Sequence, residues 1–249
     1  MRPLITKIKP ADGFSKIAHI GLNALLPMLV FVLIRINFTQ IALVLILLSK
    51  WRMFAVRPRF WAANVRANAV DIIVGISILV FMVHGSSQIA QLLWAVAYGV
   101  WLVIIKPASN ELMISVQASL GLVCGLMALF LAWGGGPLYA LVLLTGLICY
   151  LSARHFFDSF DERYAKLLAY IWGYFGAALV WILGHWLLFY GAIAQPVLLL
   201  IAIGFGLASL YYLDHHRRLS KLLSRQLIFI MVAIIVIVLV RSHWGGKIV

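Results

Sequence analysis

The residues best suited to chemistry lie in two short polar segments of an otherwise apolar chain. The first segment carries His155, Asp158 and Asp161, and the second carries His215. Spacings of three residues would place the members of the first segment on one face of a helix. Carboxylates with imidazole can hold Mg²⁺ or Mn²⁺ and orient a pyrophosphate. We therefore predict a catalytic group of His155, Asp158 and Asp161, and a divalent-cation site of Asp158, Asp161 and His215.

The first polar segment also contains a short pattern of known form. Residues Asp158 to Glu162 read D-x-x-D-E, which is distantly similar to aspartate motifs of membrane transferases that use polyprenyl phosphate. The resemblance implies chemistry on a phosphate-linked lipid carrier, although the remaining signatures of those enzymes are missing from this chain. The alternative interpretation is a solvated loop whose acids pair with Arg154 and Arg163.

A basic and aromatic segment runs from Lys50 to Arg66. Its arginines alternate with tryptophan and phenylalanine, a composition that suits a bilayer interface. Guanidinium groups can clamp phosphate oxygens in a bidentate manner. We predict that Arg57, Arg59 and Arg66 bind lipid phosphate. The alternative is a topology anchor that contacts any anionic headgroup.

Small residues recur along the fifth apolar segment at spacings of three and four. They are Ala118, Gly121, Gly125, Ala128 and Ala132. Such a smooth helix face lets another backbone approach closely, as in G-x-x-x-G helix pairs. We predict a helix-packing surface within the bundle, with a homodimer seam or a protein partner docked on this helix as the alternative.

The elements that must position these residues are membrane helices. Of the 249 residues, 65% are hydrophobic and only 11% are charged, which leaves too little polar surface to coat a water-soluble globule. The net charge of +13 is distributed between apolar segments, whereas a nucleic-acid binder gathers its basic residues on one solvated face. We therefore expect membrane lipids as partners, with anionic headgroups at the cytoplasmic face, and no nucleic acid.

The apolar segments predict an all-α, polytopic transmembrane bundle of about nine helices in a single integral membrane domain, 1–249. The predicted helices are approximately 17–36, 39–55, 69–84, 88–105, 111–132, 137–153, 166–189, 194–213 and 225–241.

The basic residues also predict the orientation. An amino terminus inside and a carboxyl terminus outside leaves 17 of the 20 Lys and Arg residues on the cytoplasmic side, as the positive-inside rule requires. A multi-pass protein of the plasma or cytoplasmic membrane is therefore expected.

Three functions are compatible with these features. The sequence favours a non-catalytic membrane subunit or scaffold of undetermined molecular function. The first alternative is an enzyme or flippase-like protein that handles an anionic lipid-linked substrate at the cytoplasmic face. The second is an uncoupled transporter or channel for a small solute. No cofactor motif is evident in the 249 residues, and a divalent cation is the one cofactor that the acidic residues suggest.

Overall fold

A computed structural model describes residues 14–185, 189–190 and 193–242. Its α-helices are α1 (Phe14–Arg35), α2 (Thr39–Leu48), α3 (Trp61–Ala67), α4 (Ala69–Val83), α5 (Gln88–Val100), α6 (Glu111–Trp133), α7 (Leu138–Asp158), α8 (Ala165–Leu183), α9 (Gln195–His215) and α10 (Lys221–Arg241). Short 3₁₀ helices cover Trp51–Phe54 and Pro58–Phe60, and a π-helical segment, Trp101–Ile105, continues α5. A minimal antiparallel pair, β1 (Phe189–Tyr190) and β2 (Ile193–Ala194), precedes α9.

Six of the described helical segments are long and apolar enough to cross a membrane, and a seventh is obtained if the bent pair around Asn68 is one span. The chain is thus an all-helical, multi-pass membrane protein. The count of nine crossings is not confirmed. The second predicted helix, 39–55, ends at Leu48, and its ten residues extend about 15 Å, half of a hydrocarbon core of about 30 Å.

The segment between α2 and α4 departs most from the expected layout. It forms two 3₁₀ turns and the short helix α3, which meets α4 at an angle of 59°. The indole of Trp61 donates to the Val56 carbonyl at 3.0 Å, and the Asn64 amide donates to the Met53 carbonyl at 3.1 Å. These local bonds fix an elbow, residues 51–67, where the sequence predicted a helix end and a loop. Hydrophobic periodicity does not reveal such side-chain to backbone bonds.

The bundle has two large hydrophobic clusters and a smaller third one around Phe156 and Phe160. One large cluster is built from α1, α2, α4 and α5 around the fully buried Tyr98, and the other from α6, α7, α8 and α9 around Leu126. Helix α6 connects them because it packs on both α4 and α7. A Cβ at Gly121 would come within 2.9 Å of Val70, and one at Gly125 within 2.7 Å of Ile73, so α4 lies close against the glycine face of α6.

The predicted small-residue surface is used within the chain over most of its length. Ala118, Gly121, Gly125 and Ala128 are buried, whereas Ala132 at the end of α6 is exposed. Close helix approach at glycine maximises dispersion contacts, which drive association where lipid supplies no hydrophobic force. A homodimer through this helix stays a prediction, since its central glycines already contact α4 and α7.

Candidate functional site

A cavity of about 380 Å³ lies between α6, α7, α8 and α9. Small residues on facing helices leave this space, since Ala118, Ala153, Gly204 and Ala208 present little or no side chain there. Most of the remaining wall is aliphatic and aromatic. The volume falls within the range of about 300–1,000 Å³ that is usual for small-molecule sites. An apolar molecule or chain is the ligand that such a wall favours.

The cavity opens sideways, between α8 and α9. Three of its lining residues are largely exposed, namely Ile171 on α8 (55%) and Phe205 (65%) and Leu207 (46%) on α9. Because α8 and α9 are long and apolar enough to cross a membrane, we expect this rim to face lipid. Lipid acyl chains therefore have a lateral route into the cavity.

A second, polar pocket of about 230 Å³ adjoins the first at the end of α7. Phe157 lines both. The charged residues of the polar pocket are Arg154, Asp158, Asp161, Glu162, Arg163 and Lys166. An apolar cavity that shares a wall with a charged pocket is complementary to an amphiphile. The apolar tail would occupy the cavity, and the headgroup would occupy the charged pocket.

Tyr211 connects the two pockets. Its ring lines the apolar cavity, and its hydroxyl donates to Glu162 Oε2 at 2.5 Å. The backbone N–H of Tyr164 donates to Glu162 Oε1 at 3.3 Å. The hydrogen bond from Tyr211, helped by the backbone, holds the pKa of the Glu162 carboxyl below its usual range. Glu162 is therefore an ionised, oriented acceptor at the boundary between the two pockets.

Ser152 supplies an unpaired polar group in the apolar wall. The residue is 3% exposed, and its hydroxyl has no hydrogen-bond partner within the described residues. A buried hydroxyl without a partner is costly. The hydroxyl points toward the Gly121 face of α6.

In the structure, His155 and Asp158 of the predicted catalytic group have different hydrogen-bond partners. His155 Nε2 lies 3.0 Å from the side-chain oxygen of Gln117 on α6, whereas Asp158 Oδ1 is paired with Arg154 at 2.9 Å. The amide nitrogen of Gln117 donates to the carbonyls of Ile105, at 2.7 Å, and of Ala108, at 2.9 Å. His155 thus belongs to a hydrogen-bonded connection between α7, α6 and the loop after α5. Asp161 lies beyond α7 in the polar pocket.

Among the described residues, no three His, Cys, Asp or Glu side chains are grouped as metal ligands. Asp158 and Asp161 both line the polar pocket, whereas the His215 ring packs edge-on against Phe160, with centroids 4.9 Å apart. A divalent cation at Asp158, Asp161 and His215 accordingly stays a prediction.

The three predicted phosphate-binding arginines lie on the elbow. Arg57 and Arg59 are exposed, Arg66 is half-buried, and the guanidinium of Arg59 lies 4.6 Å from the ring centre of Phe60. Trp51 and Trp61 on the same segment are 63% and 41% exposed. The elbow therefore presents cations and aromatic rings together, as interfacial segments do.

Sequence reasoning missed a buried ionic cluster around Asp71. Lys50 Nζ and Lys106 Nζ each lie 2.5 Å from Asp71 Oδ2, and the indole N–H of Trp101 donates to Asp71 Oδ1 at 3.0 Å. The side chains of Lys50 and Asp71 are 5% and 7% exposed, against 39% for Lys106. The cluster joins the ends of α2, α4 and α5. The sequence contains a signal for this cluster, because each of these three charged residues lies near the end of an apolar segment at the predicted cytoplasmic face.

The charged groups of α6 to α9 lie at the same end of the bundle as this cluster. Gln117 binds both the loop that begins at Lys106 and His155 near the polar pocket, and His216 Nε2 lies 3.2 Å from Glu111 Oε2. We call this end of the bundle the basic end. No family model, curated protein or solved structure matches the chain.

Proposed function

We propose that this protein binds one membrane lipid, or a lipid-linked molecule, with its apolar chain in the cavity between α6 and α9 and its phosphate-bearing headgroup in the polar pocket. The observation that carries the proposal is the shared wall at Phe157, which joins an apolar cavity open to the lipid phase with a charged pocket. The cations of the polar pocket, Arg154, Arg163 and Lys166, are suited to binding a phosphate group.

This proposal develops the lipid-handling alternative rather than the subunit or scaffold that the sequence favoured. The smooth face of α6, on which the scaffold interpretation depended, packs largely inside the chain. The cavity, by contrast, has no counterpart in the linear sequence. Lipid recognition needs no catalytic group, so the engagement of His155 with Gln117 and of Asp158 with Arg154 is compatible with it.

The proposed orientation places the basic end in the cytoplasm, in the plasma or cytoplasmic membrane. Lys50, Lys106 and the cations of the polar pocket then lie on the side that positive residues prefer. The nine-pass arrangement counts α1 as one crossing and α2 together with the turn Trp51–Phe54 as another, and it leaves Val249 outside. A reporter fused at Val249 should then be inaccessible from the cytosol, and a reporter that is active there would reverse this assignment.

Photocrosslinking tests the lipid site. A phospholipid that carries a diazirine at mid-chain, incorporated into membranes with the protein, should label the cavity walls on α6 to α9. Ile171→Trp places a bulky ring at the cavity mouth, where Ile171 is 55% exposed. We expect the added ring to obstruct entry of the lipid and to reduce labelling about tenfold. This factor corresponds to about 1.4 kcal/mol of lost binding free energy.

The matched control is Ile182→Trp. Ile182 lies on the same helix and is 59% exposed, but it does not line the cavity. This variant should label as the wild type does. The proposal fails if labelling is spread over the outer faces of the bundle and Ile171→Trp leaves the pattern and the yield unchanged.

A further inference from the structure

The charges in the polar pocket are balanced. Its lining holds three cations, Arg154, Arg163 and Lys166, and three carboxylates, Asp158, Asp161 and Glu162. Arg154 is paired with Asp158. Within the described residues no salt bridge is formed by the other four, so two cations and two carboxylates lack an ionic partner. The oxygens of Glu162 accept hydrogen bonds from the Tyr211 hydroxyl and the Tyr164 backbone N–H, which orient this carboxylate in the pocket.

We propose that the headgroup held in the polar pocket carries both a phosphodiester and a protonated primary amine, as an aminophospholipid does. This inference rests on the proposed function. The phosphate would be bound by Arg163 and Lys166, both of which are exposed in the pocket lining. The ammonium group would be bound by Asp161 and Glu162.

A headgroup with negative charge alone fits this lining less well. Its phosphate would meet Arg163 and Lys166, but Asp161 and Glu162 would then face it without a counter-charge. Like charges in one partly enclosed site are unfavourable, and unpaired charges discriminate strongly between ligands. A zwitterion satisfies both signs with charge-assisted hydrogen bonds.

The pocket also favours a primary amine over a quaternary one. A primary ammonium donates hydrogen bonds that carboxylates accept, whereas a quaternary ammonium binds best over open aromatic faces. The ring that lines this pocket, Phe157, is already packed edge-on against Tyr211 and Phe156, with centroids 5.2 Å apart in each case. Carboxylates are thus the acceptors most available to a cationic headgroup.

The test measures affinity for three lipids with identical acyl chains. Delipidated protein in detergent is titrated with phosphatidylethanolamine, phosphatidylglycerol or phosphatidylcholine, and the bound lipid is counted by native mass spectrometry. We expect phosphatidylethanolamine to bind about tenfold more tightly than the other two, as the gain or loss of one charge-assisted contact implies.

Variants of the pocket test the contributions of its carboxylates and of its cations separately. Asp161→Asn with Glu162→Gln should remove the preference for phosphatidylethanolamine over phosphatidylglycerol. Arg163→Gln with Lys166→Gln should weaken binding of both lipids. The matched control is Glu111→Gln, which removes an exposed carboxylate that pairs with His216 outside the pocket and should leave the preference intact.

The outcomes distinguish this inference from the proposed function. If phosphatidylglycerol or phosphatidylcholine binds wild-type protein as tightly as phosphatidylethanolamine, while Ile171→Trp still reduces binding, the headgroup assignment is wrong and the lipid site stands. If Ile171→Trp changes the binding of none of the three lipids, the cavity is not the lipid site, and both proposals fall together.

Discussion

Replacing Asp71 with asparagine should destabilise the fold strongly, because it removes the counter-charge of a buried lysine. Lys50 and Asp71 are 5% and 7% exposed at the side chain, so the lysine cannot recover hydration in place. Breaking such a pair from one side typically costs about 3–5 kcal/mol. Asparagine retains an oxygen that can accept the hydrogen bond from Trp101, so that contact should contribute little to the loss.

The same geometry predicts a much smaller loss of stability when Lys106, the second lysine of the cluster, is replaced. Lys106 is 39% exposed, and its ion pair with Asp71 is therefore partly screened by water. Lys106→Met should cost roughly 0–1 kcal/mol, the range found for exposed pairs. Lys50→Met combined with Asp71→Asn removes both buried charges while the asparagine oxygen can still accept from Trp101, and it should recover most of the stability that Asp71→Asn loses.

The assay is reversible unfolding of purified protein in mixed micelles with increasing denaturing detergent, followed by far-UV circular dichroism. Membrane abundance of each variant provides a second readout if Asp71→Asn is too unstable to purify. The reasoning is refuted if Asp71→Asn costs no more than Lys106→Met, or if the double replacement is less stable than Asp71→Asn alone.

Three further predictions concern the other half of the bundle. Gly125→Ala would place its Cβ 2.7 Å from Ile73, and should cost about 1–3 kcal/mol of unfolding free energy; Gly135→Ala, which meets nothing within 4 Å, should be nearly neutral, and equal effects would contradict the packing account. Tyr211→Phe should lower stability at neutral pH, because the folded pKa of Glu162 lies below 4.5 and its stabilising contribution is present above that pH. Denaturation at several pH values should show the two proteins converging as the pH falls through that folded pKa, and a difference that persists in acid would contradict the assignment. Ser152→Ala should leave the free energy of unfolding unchanged or raise it slightly, since it removes only a buried hydroxyl without a partner; a clear loss of stability in the same denaturation assay would contradict this.

The apolar segments predicted most helix positions because each membrane helix satisfies its own backbone hydrogen bonds. The predicted start of α6 at residue 111 and its smooth face agree with the structure, since the capping oxygen of Asn110 and the glycine spacing are local features. The elbow could not be predicted in this way. It depends on bonds such as that from Asn64 to the Met53 carbonyl, which joins residues eleven apart.

The sequence by itself determined that this chain is helical, apolar and strongly basic between its helices, because these properties follow from composition and from periodicity along one segment. Only the tertiary structure decided which polar groups meet. It brought together Lys50, Asp71 and Lys106, which lie at the ends of three separate helices, and it placed the His155 ring within hydrogen-bond distance of Gln117. It also opened a cavity between four helices, where small residues of α6, α7 and α9 face one another. Cavities and ion pairs between distant segments are properties of packing, and packing is set by how helices approach in space rather than by the order of residues along any one of them.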